Sequence, residues 1–323
     1  MELTAVNHYD TLVKDQNEST NANFMGANTQ AIDGEELFHQ CIIPSFAKDN
    51  ESTISHTEFL EVVHQAASSI FSNEQILSPA IRVSHPIKGR IPEAMGKPAK
   101  ELLEHEKTLY YERMAFILEI PTISETVSNN QLSLTVGGVR AYNLENLYSK
   151  KSEERFKIFI GFQNKVCTNL CISTDGFLSS IKVRTTAELL DTALQLFASY
   201  KADKQLMQLS ALNNYAISEK QFAHLVGKAR MYQFLSPPEK KKINPVPINE
   251  SQISTVVKDY YTDEAFCKNE NGDIDLWKLY NLFTGANKSS YIDTFLEREV
   301  GCLNFVETLF SVIQGNNENW YLQ

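Results

Sequence analysis

The sequence predicts an α+β fold: a mainly antiparallel β-sheet in the middle of the chain, packed with a helical C-terminal half. Three observations carry this. Between Ala80 and Arg184, short runs rich in β-branched and aromatic residues follow one another, broken by Pro, Gly-Gly, Asn-Asn or Asp-Gly. The gaps are too short for most crossover helices, so neighbouring strands should pair antiparallel. From Thr185 onward, apolar residues recur at i, i+3 and i+4 instead.

Residues 1 to about 35 are rich in Asn, Thr, Asp and Gly without an apolar period. They read as a flexible acidic tail, taken to residue 40, with at most one short ordered piece. In "SHTEFLEVVHQAASSIFS", Ser55 and Glu58 form a capping box ahead of a helical stripe through Phe59, Val62, Val63, Ala66 and Ile70. The strand runs are "AIRVSH", "RMAFILEI", "LSLTVGGVRAY", "ERFKIFIGF", "NLCIST" and "FLSSIKVR". "PAKELLEHEKTL" reads as one short helix among them. Asp175-Gly176 reads as a hairpin turn, because that pair tolerates positive φ. The helices that follow include "SEKQFAHLVGKARMYQFL", opened by a second capping box at Ser218 and Gln221. Four prolines in "SPPEKKKINPVPIN" break the order before the last helices. The division expected is 1–40, a β-rich 41–184, and a helical 185–323 packed on the sheet.

The chain has 323 residues, 42% hydrophobic and 22% charged, which fits a packed globular body. Its longest apolar runs are about seven residues, against roughly 20 for a membrane helix. No basic-then-apolar leader is seen at the N-terminus, and the five Cys are irregularly spaced. A cytoplasmic protein with free thiols is expected.

Net charge is −10, so indiscriminate coating of nucleic acid is excluded, though a local basic patch is not. Charge is uneven: residues 1–40 carry a net of −6 and residues 80–100 a net of +4. In "RVSHPIKGRIPEAMGKPAK", Arg82, His85, Lys88, Arg90 and Lys97 lie among Pro and Gly. Cations on a stiff loop suit phosphate or carboxylate; a solvated connector is the plain alternative. Tyr110 and Tyr111 follow, and rings on a sheet can stack bases or be half-buried structure. Lys240, Lys241 and Lys242 form a further cationic run, which reads first as solvated surface.

"NLFTGANKSSYIDTFLERE" raises a phosphate-binding loop. With Lys288 and Ser289 in the Lys-Ser places, the two required glycines fall on Leu282 and Asn287, so the pattern fails. A turn between helices remains, with Gly285 ending one helix and Ser289 or Ser290 capping the next. Lys288 and Ser289 at such a start could hold a phosphate. Cys167 and Cys171 are about 13 Å apart if extended, too far for a disulfide, and no metal-ligand spacing accompanies them. No catalytic set, metal or cofactor is expected.

Six segments together resemble the family domain of unknown function 3871: "RVSHPIKGRIPEA", "EHEKTLYYERMAF", "LTVGGVRAYNLENLY", "FKIFIGFQNKVCTNLC", "ISEKQFAHLVGKARMY" and "LWKLYNLFTGANKSSYIDTFLER". The resemblance runs from about Ala80 to Phe310. A fainter one, to the phage/plasmid-like family domain of unknown function 932, rests on Val166-Cys167-Thr168-Asn169 and on Trp277, Asn281 and Thr284. The resemblance implies a bacterial protein, often encoded on mobile elements, without a settled activity.

The function expected first is non-enzymatic binding of single-stranded DNA, or another phosphate-bearing ligand, in replication, recombination or transfer. Two alternatives stand beside it. One is an enzyme on an anionic small molecule with His85 as acid–base group. The other is a scaffold or partner-binding protein. The sequence leaves the oligomeric state open.

Overall fold

The computed structural model describes residues 20–26, 28–41, 53–94, 96–144, 153–315 and 319–322. Its strands are β1 (Gln30–Ile32), β2 (Ala80–Val83), β3 (Pro86–Arg90), β4 (Lys107–Tyr111), β5 (Arg113–Val127), β6 (Asn130–Ala141), β7 (Glu154–Asn164), β8 (Leu170–Cys171), β9 (Phe177–Val183), β10 (Ala216–Ile217) and β11 (Ile274–Asp275). The main sheet has the order β1-β2-β5-β6-β7-β8, with β9 also on β7, and every strand pair is antiparallel. The α+β class therefore holds.

The long β5–β6 hairpin turns through Ser128 and Asn129, whose φ angles are 50° and 64°. Two central residues at positive φ match the twist of the flanking strands. The register slips between Ile120 and Ser124, where Pro121 has no N–H to give the ladder.

Gly137-Gly138 does not break the strand, as its composition suggests; β6 runs straight through. The glycines instead make room. A Cβ on Gly138 would lie 2.5 Å from Phe59 Cζ and 2.7 Å from the Lys157 carbonyl oxygen. One on Gly137 would strike the Phe116 carbonyl and lie 2.8 Å from the Phe159 ring.

Both faces of the sheet are covered. Helix α1 (Gly34–Gln40) leads to α2 (His56–Ile70), whose Phe59 ring packs 5.1 Å from Phe116 and 4.8 Å from Phe156. The Ser55–Glu58 capping box is present: Glu58 N–H donates to Ser55 Oγ at 3.1 Å, and Ser55 N–H to Glu58 Oε2 at 2.6 Å. The C-terminal half is α3 (Thr186–Ser199), α4 (Ala202–Leu212), α5 (Glu219–Tyr232), α6 (Pro237–Lys240), α7 (Glu250–Thr262), α8 (Leu276–Asn287) and α9 (Ile292–Ile313). On α9, Phe295, Leu296 and Val300 pack with Ala115, Ile117, Val139 and Phe159. These strand residues alternate with Phe116 and Ile158, which face α2. Burial on both faces explains why "MAFIL", residues 114–118, is apolar throughout. The β10–β11 pair sets the starts of α5 and α8 side by side.

Three local expectations are corrected. The stretch expected to be a flexible tail is ordered from Thr20. Phe24 and Met25 are buried in the α9-side core, β1 extends the sheet, and Asp33 caps α1. A few well-placed apolar residues do this without any periodic signal; residues 1–19 lie outside the described residues. "PAKELLEHEKTL" is not a helix. It makes two 3-10 turns, Ala99–Glu101 and Glu104–Glu106, and then enters β4. Its Leu103 is 55% exposed, so a helix there would have no core to meet. Asp175-Gly176 is not a hairpin turn either. Strands β8 and β9 both lie along β7, at Phe162–Gln163 and at Glu154–Phe159, and the 3-10 turn Thr174–Gly176 interrupts one edge. Glycine is needed because a Cβ at Gly176 would strike the Ile160 carbonyl.

Candidate anion-binding surface

Strands β3 and β4 form a two-stranded arm apart from the main sheet, pairing Pro86 with Tyr111, Lys88 with Leu109 and Arg90 with Lys107. Alternation sends Thr108 and Tyr110 inward, where both are buried. Lys88, Lys107 and Leu109 lie on the exposed face.

The connection from Ile91 to Glu106 is held by its own polar groups. Arg90 donates to the Lys97 carbonyl, and Ile91 N–H donates to the Glu106 carbonyl at 3.0 Å. Lys97 pairs with Glu106, and Leu103 N–H donates to the same carboxylate at 2.9 Å. The Lys97 bond, then the Leu103 amide, hold Glu106 below the usual carboxylate range. Lys107 pairs with Glu104 at 2.5 Å. Acidic residues just beyond Lys100 thus neutralise part of the cationic loop. The side chains of His85, Lys88 and Lys100 are exposed and make no ion pair or hydrogen bond among the described residues. In particular, no such contact joins His85 to a carboxylate or a thiol.

The other candidate residues do not join this surface. Arg82 on β2 donates to the Thr29 carbonyl at 2.9 Å and to Thr29 Oγ1 at 2.7 Å, clamping the chain ahead of β1. Tyr110 and Tyr111 are 8% and 5% exposed, so their faces belong to the core. The Tyr111 hydroxyl donates to Glu36 at 3.1 Å, and the Tyr110 ring meets Tyr142 edge-on.

Lys288 and Ser289 stand in a different place. Helix α8 continues through Gly285 to Asn287, with Lys288 as its C-cap. Helix α9 begins after Tyr291 without a side-chain cap, so neither Gly285 nor the serines act as expected. Lys288 Nζ donates to the Cys167 carbonyl and, at 2.8 Å, to Thr168 Oγ1. Burial pulls its pKa down. Ser289 Oγ donates to the Ala286 carbonyl at 2.8 Å. The turn that Lys288 holds contains Thr168 at φ 59°, a costly conformation for a β-branched residue. Around it, Asn164 Nδ2 donates to Asn281 Oδ1 at 3.1 Å and Asn169 Nδ2 to the Asn281 carbonyl at 2.9 Å. The Val166–Asn169 segment and Asn281, far apart in the sequence, therefore touch. Burial raises the Cys167 thiol to about 11, so it is not poised as a thiolate.

Glu299 lies fully buried near this network. Asn287 Nδ2 donates to its Oε1 at 3.0 Å, while Oε2 has no partner among the described residues. Burial raises its pKa well above the ordinary value. A raised carboxyl contributes stability that is complete below the unfolded pKa and is lost as pH rises through the folded one. Wild-type stability should therefore fall with rising pH above the ordinary carboxylate range, by up to about 1.4 kcal/mol per pH unit. Glu299→Gln should lack that slope in urea titrations run across pH. Parallel pH profiles for the two proteins would show that Glu299 is not the source.

Sequence reasoning missed Phe234, which follows α5, is 83% exposed and stands seven residues before Lys241 in the sequence. The lysine run was the available signal; the ring reads as the end of an apolar stripe.

The family model described as "Domain of unknown function, B. Theta Gene description (DUF3871)" matches residues 8–322. No curated protein matches the chain, and no solved structure does.

Proposed function

We propose that this chain, which belongs to the family domain of unknown function 3871, is a non-enzymatic binder of single-stranded nucleic acid, acting in replication, recombination or transfer of a mobile element. The observation that carries the reading is the arm. Lys88 and Lys100 are exposed there without a side-chain hydrogen bond or ion pair among the described residues, Lys88 acting only at longer range on the Glu104 charge, and the backbone is fixed by the Arg90 and Lys97 contacts. Cations on a fixed frame gain phosphate contacts with little ordering cost. Arg90 and Lys97 serve the frame, so Lys88 and Lys100 are the phosphate contacts. The net charge of −10 confines binding to such patches.

Fluorescence anisotropy with labelled single strands across a salt series tests this. Lys88→Ala with Lys100→Ala should weaken binding and flatten the log–log salt slope by about 1.4, roughly 0.7 for each phosphate that is no longer neutralised. Binding that is absent at low salt, or unchanged in slope in the double variant, would remove the proposal.

A further inference from the structure

The arm offers phosphate contacts but no ring for a base, since Tyr110 and Tyr111 are buried. The corner between α5 and α6 offers one. Phe234 is 83% exposed and Met231, one turn earlier, 56%. The side chains of Lys241 and Lys242 are exposed and make no ion pair or hydrogen bond among the described residues, Lys242 acting on the Glu239 charge only at longer range.

The corner is rigid. Phe234 N–H donates to the Met231 carbonyl at 3.0 Å and Leu235 N–H to the Tyr232 carbonyl at 3.2 Å. Ser236 and Glu239 form a capping box around Pro237 and Pro238, with Ser236 N–H donating to Glu239 Oε2 at 2.8 Å. Lys240 donates to the Gln233 carbonyl at 2.8 Å and lies over the Tyr232 ring. Arg230 is held by Glu250 and Ser254. Local polar contacts are thus satisfied, while one ring and two ammonium groups are left to solvent.

We infer that Phe234 is a stacking platform for an unpaired base, with Lys241 and Lys242 on the neighbouring phosphates of the same single strand. The inference rests on the reading of the chain as a nucleic-acid binder and adds a second contact region to it. Stacking on a protruding ring is open to every base and needs no cleft. A peptide partner would instead seat its anchor in a pocket, which a ring 83% exposed does not line. An anionic membrane would need a broad apolar helix face. The outer face of α5 instead presents Ala223, His224, Gly227 and Arg230, all exposed, with Met231 as the one large apolar side chain among them.

The test compares wild type with Phe234→Ala, Phe234→Leu, Phe234→Trp and Lys241→Ala/Lys242→Ala, using labelled oligothymidylate of about 16 nucleotides and a duplex of equal length. So exposed a ring can be replaced without disturbing the core, and unchanged circular dichroism of each variant is the check on this. Phe234→Ala and Phe234→Leu should weaken single-strand binding about 5- to 100-fold, Phe234→Trp should retain it, and duplex binding should change little. The lysine pair should flatten the salt slope by about 1.4. Single-strand affinity unchanged in Phe234→Ala, but lost in Lys88→Ala/Lys100→Ala, overturns this inference and leaves the arm in place. Affinity retained in Phe234→Leu, or binding to phosphatidylserine vesicles that Phe234→Ala abolishes, overturns it in favour of an apolar or membrane contact. No binding to either nucleic acid by wild type overturns both readings.

Discussion

Arg140→Met is expected to destabilise the protein by about 3–5 kcal/mol. Arg140 is 0% exposed and Glu154 1%. The guanidinium meets Glu154 Oε2 at 2.5 Å and donates to the Ile54 carbonyl. Ile54 N–H returns a bond to Glu154 at 3.0 Å. The Tyr142 and Phe156 ring centroids lie 4.4 and 4.5 Å from the guanidinium carbon. The charge therefore ties the entry to α2 to two central strands. His56 lies beside Tyr142, its pKa lowered to about 3 by burial and then by the Arg140 charge, so it stays neutral. Without Arg140, Glu154 is left as a buried carboxylate without its cation, which is the larger part of the cost. Arg140→Met with Glu154→Leu removes both charges and should recover much of the loss. Urea unfolding of the four proteins completes the cycle. A single-variant loss below about 1 kcal/mol, the range of exposed pairs, would refute this account.

Gly138→Ala should cost about 1–3 kcal/mol, and Gly138→Val more, by overpacking. The new carbon would meet the Phe59 ring at 2.5 Å and the Lys157 carbonyl oxygen at 2.7 Å. The ring can tilt only by disturbing Phe116 and Phe156. The carbonyl belongs to the neighbouring strand, so it yields only by bending the sheet. Phe59→Ala alone should cost about 3–5 kcal/mol. Adding Gly138→Ala to it should cost less than it does in wild type, yet still something, because the carbonyl remains. Gly227→Ala is the control. It sits on α5 with nothing within 4 Å of its Cβ, and should stabilise by about 0.5–1 kcal/mol. Equal effects at the two positions would show that helix and strand propensity, not contact, governs both.

Much of the fold was legible in the sequence because it is written in local chemistry. The Ser55 and Ser218 capping boxes need only residues three apart, and both are present. Doubly buried strands read as apolar runs. Gly138 was legible as a glycine but not as the seat of Phe59, since that contact joins residues far apart in the chain. Phe24 and Met25 were illegible for the same reason. At the candidate surface, the cations could be read from composition, but their partners could not: Glu106 lies just beyond the basic stretch and folds back on Lys97, while Glu104 pairs with Lys107. Tyr110 and Tyr111 are consecutive, so alternation would put one ring outside. Both are buried because Tyr111 meets α1 through Glu36 while Tyr110 meets Tyr142.

Gly26 N–H donates to the Lys288 carbonyl at 2.9 Å, Thr168 Oγ1 donates to the Asn23 carbonyl at 2.9 Å, and Phe24 packs on Phe295. The first and last of these contacts span most of the chain's length. A ribosome releases residues 20–32 long before Ile292–Ile313, yet their resting place does not exist until α9 has emerged. A segment made well before α9 is then among the last to be fixed, and folding must close a very long loop to finish. During synthesis, Phe24 and Met25 travel as uncovered apolar residues, the condition that chaperones recognise.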